Sequence, residues 1–548
     1  MDATRRPRST PLRRGKACLV CRHLKIKCDG VRPRCGPCVL NPKEEACHYN
    51  EANSRTQELE ETVARLRLRV AELERSSTLS ASPPGSPSTS PSPSSPDSFS
   101  SRRSTPNVGT QEPPLPTIQT LLDAFLPHAA QVGFFLHVDN FRASALLPFP
   151  MGDVRRPSPA LLRVVYLWGL HLSQTPSLLS PETTLLQLAQ QALSTEISDR
   201  SGLPHALHTI QAQVLLSNYL LRNKQFLEAE YHANGAATLA MAYQLHRVCS
   251  SRVDASSSTT ETDRDLGWPI SPVDEGERIR CFWTVVCLQS SFAFVVGNIA
   301  TTSLSILESS SNEIDTPWPE DFAEYESRLA PSPCVSQETI KTFLVGDPQP
   351  VYSLSALQAQ AMVLLHRALR LGSKWTPALA LQPDAFASFV SSVTWLEGRM
   401  EFFWGSLPPE ASTSPLICCT IAAATLALHQ RMSESSPNAA ASAARCLWAA
   451  RLIISSASSD SRPSVACPLF GSLCTLAADA ILNSLREARH FHDSFMIGLG
   501  LDSPVSDEET VLLGDMQGAL QTMESYAPGN PLLQHQLGKV RRKYETIE

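Results

Sequence analysis

Six cysteines fall between Cys18 and Cys47 with the spacing C-x2-C-x6-C-x6-C-x2-C-x8-C, and no other feature of this 548-residue chain restricts its fold so tightly. The other nine of the fifteen cysteines are scattered from Cys249 to Cys474 at no repeating interval. The amino terminus is basic and has no apolar stretch behind it, so no secretory signal is visible and a reducing compartment is expected. In such a compartment a tight cysteine cluster reads as metal-binding rather than disulfide-bonded. Each C-x2-C pair, Cys18/Cys21 and Cys35/Cys38, brings two thiolates to one side of a turn, within reach of one ion. Six thiolates are too few for two separate tetrahedral zincs, but they suffice if two of them bridge. The competing readings are a disulfide framework, or two mononuclear sites completed by outside ligands such as His23 or His48.

The residues between the cysteines carry the next signal. Cys21-Arg22-His23-Leu24-Lys25-Ile26-Lys27-Cys28 and Arg32-Pro33-Arg34-Cys35 interleave cations with the ligands. With all six cysteines, this stretch resembles the fungal zinc binuclear cluster (Zn2Cys6) transcription regulators, whose pattern is a C-R-x-x-K-x-K-C helix followed by an R-P-x-C turn. The last gap, eight residues, sits at the long end of that family's range. The resemblance implies two Zn2+ per chain, with Cys18 and Cys35 bridging both ions. Cys21 and Cys28 would complete one tetrahedron, Cys38 and Cys47 the other. It further implies a short helix over about residues 19–26, aimed at the DNA major groove. On it Lys25 would donate to guanine O6 and N7 of CGG-type half-sites, with Arg22, Lys27 and Arg34 also at the DNA and Arg22 and Lys27 on phosphates.

Charge agrees with a polyanionic partner. Residues 1–49 hold twelve Lys/Arg and four acids, a net +8, inside a chain whose total is -6. The runs Arg5-Arg6-Pro7-Arg8 and Arg13-Arg14-Gly15-Lys16 suit a nuclear import signal or an arm along the phosphate backbone.

Beyond residue 50 the composition changes three times. Residues 51–77 lack Gly and Pro and place Leu59, Val63, Leu66, Val70 and Leu73 at spacings of 4, 3, 4 and 3. That is a coiled-coil seam with Val at a and Leu at d, which favours a parallel homodimer. Arg55 and Arg69 fall at g, and Glu60 and Glu74 at e, where they would attract across the pair. Residues 78–116 are dominated by Ser, Pro and Thr and read as a disordered linker. From 117 to 548 the chain reads as a large all-α domain. Leu207, Ile210, Val214 and Leu221 keep helical spacing, as do Ala233, Ala236, Ala237, Ala240 and Gln244, and Leu533, Leu537, Val540 and Tyr544. Stretches at 250–264 and around 455–465 read as surface loops. The resemblance continues here: residues 121–137, 207–221 and 276–298, and Ile314-Asp315-Thr316-Pro317-Trp318-Pro319, look like the regulatory helical domain that follows the cluster in this family. Many relatives carry an acidic-Arg pair where Gln289-Ser290 stands.

Several function classes are disfavoured. The charge-free run from Cys281 to Leu307 contains Gln289, Ser290, Ser291, Asn298, Thr301, Thr302 and Ser303, too polar for a bilayer core, so a buried helix is expected and no membrane partner. There is no G-x-S-x-G, H-E-x-x-H, phosphate-cradling glycine loop or dinucleotide fingerprint, so no enzyme is read here. Phe134, Phe135, Trp168 and Trp283 are expected in the core, and Cys418-Cys419 in buried packing. Asp507-Glu508-Glu509 followed by Val511, Leu512 and Leu513 reads either as an activation segment or as a capped helix start. The expected whole is a small zinc cluster domain (1–50), a short coiled coil (51–77), a linker (78–116) and a helical regulatory domain (117–548). Such a chain would be a nuclear regulator of RNA polymerase II genes, with DNA, a second copy of itself, and the transcription machinery or co-regulators as partners.

Overall fold

The computed structural model describes residues 18–23, 25–29, 31, 34–40 and 47, and then 112–547 apart from 174–181, 199–204, 251–265, 297–305, 310–313, 332–337, 347–352, 437, 459–467 and 500–506. The chain divides into two compact units, Met1–Arg103 and Ser104–Glu548. The described residues contain no strand. The coiled-coil residues Leu59 to Leu73 lie outside the described residues, as do the expected linker up to 111 and the loop at 251–264.

The first unit contributes two short helices, α1 (Leu19–His23) and α2 (Gly36–Leu40). The second unit is built from α3 (Leu115–Phe125), α4 (Val138–Ala145), α5 (Pro159–Leu172), α6 (Glu182–Ser198), α7 (Ala206–Arg222), α8 (Phe226–Ala242) and α9 (Pro272–Val296). It continues through α10 (Leu354–Ser373), α11 (Pro383–Gly405), α12 (Pro415–Ser435), α13 (Ala439–Ala457), α14 (Pro468–Leu499), α15 (Asp507–Tyr526) and α16 (Pro531–Glu545), with short helical turns between. Proline opens many of these helices: Pro159, Pro272, Pro383, Pro415, Pro468 and Pro531 are first residues, where the missing N–H costs nothing and φ is already helical. Ser158 and Asn530 complete two of these starts by accepting the amides of Leu161 and Leu533.

One continuous apolar core runs from Ile118 to Val540. At its centre α9 packs on α7, α8, α10 and α14, while α14 also meets α12, α13, α15 and α16. Trp168, Trp283 and Phe135 are fully buried and Phe134 nearly so, as the sequence implied. Helix α9 is long and apolar enough to cross a membrane, but most of its apolar stretch is buried inside this core. Gln289 on it is buried, and its side-chain oxygen accepts the amide of Ile306, so the position holds a structural contact without an acidic-Arg pair. The segment Ile314 to Pro319 straps the core. Asp315 accepts the amides of Cys249 and Ser250 at 3.1 and 2.8 Å, and Trp318 stacks on Trp283 at 4.2 Å.

Some boundaries differ from expectation. The last residues of the expected linker belong to the fold: α3 starts at Leu115, and Glu112 takes a two-toothed ion pair from buried Arg156 at 2.6 and 2.8 Å plus the Tyr166 hydroxyl at 2.8 Å. That pair makes an ordered anchor from a stretch whose composition alone predicts none. Gln244 is not on the α8 face, because the helix ends at Ala242 and Gln244 turns left-handed at φ 55°. The loop expected from 455 begins later, since α13 runs on through Ala457, which is buried. Asp507-Glu508-Glu509 starts α15, and Glu509 is nearly buried against Arg489 at 2.6 Å, which favours the helix-start reading.

Candidate metal centre

Each half of the cluster uses the same local device. Cys18 precedes α1 and Cys21 lies on it; Cys35 precedes α2 and Cys38 lies on it. The first helical turn then brings the second cysteine back to the first, with the Cys21 amide 3.3 Å from Cys18 Sγ and the Cys38 amide bonded to the Cys35 carbonyl at 3.0 Å. The Cys21 amide, pointing at sulfur, stabilises the thiolate form of Cys18.

The sulfurs converge. Cys18 and Cys35 Sγ are 3.6 Å apart, Cys21 and Cys35 3.6 Å, Cys18 and Cys38 3.8 Å, and Cys35 and Cys47 3.7 Å. A tetrahedral ion with Zn–S of ~2.3 Å needs edges of about 3.8 Å. Two sets of four sulfurs each lie within 4.8 Å of one another: Cys18, Cys21, Cys28 and Cys35, and Cys18, Cys35, Cys38 and Cys47. The sets share Cys18 and Cys35, so this geometry suits two tetrahedra joined along one edge. His23, the one candidate outside ligand among the described residues, is exposed and belongs to neither set.

The donor chemistry fits a cation as well. Burial pushes the Cys21 thiol up to about 12 and raises Cys18 and Cys35, which have no exposed surface. The Cys35 amide lowers Cys47 instead. Three buried thiols that resist ionising need nearby positive charge to become thiolates, and two Zn2+ ions supply it.

Asp29 is the residue that cysteine spacing did not single out. Its carboxylate accepts the Gly36 amide at 2.9 and 3.1 Å and the Val31 amide at 3.2 Å, tying the loop after Cys28 to the start of α2. A Cβ on Gly36 would meet that carboxylate, so a larger residue beside Cys35 would have to push Asp29 aside. The signal was present as Cys28-Asp29-Gly30 and Cys35-Gly36, but its meaning depends on a contact seven residues long.

Lys25, Lys27 and Arg34 are exposed, and none makes an ion pair among the described residues. Arg22 lies on α1, with its side chain outside the described residues. The helix expected over 19–26 stops at His23. The Ile26 amide bonds to the Cys21 carbonyl at 3.0 Å and Lys25 takes φ 53°, a left-handed helix end. The chain turns there because Cys28 must come back to the sulfur cluster, so Lys25 projects from the turn that ends the helix.

Comparison with known proteins agrees with this geometry. Residues 16–56 match the fungal Zn(2)-Cys(6) binuclear cluster domain, and residues 129–362 the fungal specific transcription factor domain. A relative, the notoamide biosynthesis cluster transcriptional coactivator notQ' of Aspergillus versicolor, is 26% identical over 310 residues, 55% of this chain. The chain spans 57% of that relative's length. No solved structure matches. The chain therefore carries a fungal zinc binuclear cluster, which binds two zinc ions, together with a large helical fungal transcription factor domain. The core of that helical unit continues well past residue 362, to Val540.

Proposed function

We propose that this chain is a nuclear, zinc-dependent, sequence-specific DNA-binding regulator of RNA polymerase II genes, acting as a homodimer on paired CGG-type half-sites. The observation that carries the reading is the pair of four-sulfur sets sharing Cys18 and Cys35, with exposed Lys25 and Lys27 on the turn that follows α1. In this reading Cys18 and Cys35 bridge the two ions, Cys21 and Cys28 complete one site, and Cys38 and Cys47 the other. The metals set the direction of α1, and Lys25 reads guanine from the end of that helix. Arg22, Lys27 and Arg34 hold the backbone and make affinity salt-dependent. Leu59, Val63, Leu66, Val70 and Leu73 join two chains, so that each presents one reading head. Both matched domain families belong to transcription regulators, which supports a role other than catalysis. The relative's name, a coactivator of a biosynthesis cluster, supports activation as the direction of control.

Selection of bound duplexes from a random pool by the zinc-loaded full chain tests the reading. Paired CGG triplets at a fixed spacing are the expected product. A pool that stays random, with retention no stronger than competitor DNA removes, would overturn it in favour of a scaffold that contacts only proteins.

A further inference from the structure

A cavity of about 290 Å3 opens in the helical unit where α7, α9, α10 and the start of α12 meet the turn after α3. It has room for roughly ten water-sized groups. Most of its wall is apolar, with Val214, Trp283, Met362 and Ile417 among the side chains that face it. One formally charged side chain stands among the described lining residues, that of Arg280.

Arg280 is placed unusually for a largely buried cation. Its Nη1 donates to the Glu320 carbonyl at 2.9 Å and the Ser355 hydroxyl at 3.2 Å, and its guanidinium lies 4.6 Å from the centre of the Phe322 ring. No carboxylate pairs with it among the described residues, and its Nε has no hydrogen-bond partner. Burial lowers its affinity for its proton, yet a guanidinium stays charged. The edge formed by Nε and Nη2 is the edge that receives a carboxylate side-on. Two further buried polar atoms without partners belong to the same wall, the side-chain oxygens of Gln131 and Gln358. Both accept and neither is satisfied, so one wall gathers a cation with no direct ion pair, whose charge Asp321 eases only from a distance, and two unpaired acceptors. Buried polar atoms left in this state are costly, and a group that pairs with them gains that cost back.

We propose that this cavity binds a compact monocarboxylate with an apolar, ring-sized body and one N–H or O–H donor. Small rotations of Arg280, Gln131 and Gln358 turn their buried polar atoms toward the ligand, so that the carboxylate pairs with Arg280, the donor meets Gln131 or Gln358, and the ring lies among the apolar side chains. Because the wall draws on helices from both halves of the core, such a ligand holds them together and stabilises the folded unit. The proposal concerns the helical unit alone and depends on no DNA contact.

The test uses the zinc-loaded full chain with 4-hydroxyphenylacetate as probe, and its methyl ester, phenylacetate and tyramine as comparisons. Thermal unfolding and titration calorimetry are read together. The acid is expected to raise Tm in a saturable way, and the ester and the amine to raise it little. Phenylacetate should bind more weakly than the hydroxylated acid. Arg280→Gln should weaken the acid by at least about tenfold, the loss expected for one charge-assisted pair. Ala359→Leu adds bulk to the wall from a buried position on α10; it should abolish binding, and its Tm without ligand, lowered by overpacking, shows that the chain still folds. No saturable effect of the acid on the wild-type chain would overturn the proposal, as would equal binding by the ester or an undiminished effect in Ala359→Leu. Loss of DNA binding in a separate assay would leave this result untouched, so the two readings fail independently.

Discussion

The amide of Ile26 donates to the carbonyl of Cys21 at 3.0 Å, and the six-residue closure forces Lys25 between them into a left-handed conformation at φ 53°. A non-glycine residue there carries strain on the order of 1 kcal/mol or more. Glycine would relieve it, so the lysine is best explained by what its side chain does. Lys25→Gly is expected to hold zinc at least as firmly as wild type while losing preference for CGG duplexes. Lys25→Met is expected to keep the zinc and lose ~1–3 kcal/mol of discrimination per half-site, whereas Lys27→Ala weakens all sequences alike and flattens the salt dependence. Gel shifts at several salt concentrations separate the two effects. Wild-type recognition by Lys25→Met would remove Lys25 from the reading role.

Cys18 and Cys35 belong to both four-sulfur sets, and Cys47 to one. Native mass spectrometry of the full chain is therefore expected to show two zinc ions, one retained in Cys47→Ser and neither held firmly in Cys35→Ser. Asp29→Ala should lower zinc affinity without changing the count, because it frees the Gly36 amide and loosens the turn that carries Cys35 and Cys38. Equal losses from Cys35→Ser and Cys47→Ser would argue against shared ligands.

What could be read in advance follows from how local each cause is. The cysteine spacing, the heptads and the 3.6-residue periodicity of α7, α8 and α16 are short-range patterns, and the described ones reappear as sulfur sets and helices. The end of α1 was misplaced because it depends on Cys28 returning to sulfurs contributed by the other half of the cluster. Glu112 looked like part of a Ser/Pro tract because its partners, Arg156 and Tyr166, lie 44 and 54 residues away. The cavity was invisible for the same reason. Arg280, Gln131 and Gln358 share a wall only after the helices have packed.

Glycines in the helical unit give a matched pair of stability tests. A Cβ on Gly372 of α10 would collide with the backbone carbonyl of Ala427 on α12, whereas one on Gly398 of α11 meets nothing within 4 Å. Gly372→Ala must push two core helices apart and is expected to destabilise by ~1–3 kcal/mol, as overpacking does. Gly398→Ala is expected to stabilise by about 0.5–1 kcal/mol through helix propensity. Denaturant midpoints measure both, and a neutral Gly372→Ala would mean the α10–α12 crossing is looser than described.

Acid should weaken the helical unit through its buried histidines. Burial holds His232 down at about 4 and, with His205 beside it, His208 at about 3, against 6.5 for the free side chain. The sign follows from proton counting: below pH 6.5 the unfolded chain takes up protons that the folded one refuses, so stability is full above that pH and falls as pH drops toward 4. Each fully shifted histidine costs up to about 2 kcal/mol by pH 5. Thermal unfolding between pH 7.5 and 5 checks this, and His232→Gln should reduce the slope. A Tm that does not move over that range would contradict the burial of these rings.

In the proposed dimer two chains meet along the seam Leu59, Val63, Leu66, Val70 and Leu73, about two heptads long. An isolated helix of ~12–15 residues is marginal in water, so the pair should form fully only with help from DNA or from the rest of the chain. Leu66 is the middle position. Leu66→Glu sets two like charges facing each other in an apolar seam, at a cost of several kcal/mol, ~3–5 for an uncompensated buried charge. The zinc cluster folds regardless, because its ligands all lie between Cys18 and Cys47. The full-chain variant is therefore expected to keep two zinc ions, sediment as a monomer, and bind single half-sites weakly with no preference for their spacing. A charge at a heptad position outside the seam and its flanks, such as Ala64→Glu at b, should change none of this. Should Leu66→Glu sediment and select paired sites as wild type does, the helix would have to pack elsewhere, and the two reading heads would have to be joined by another part of the chain.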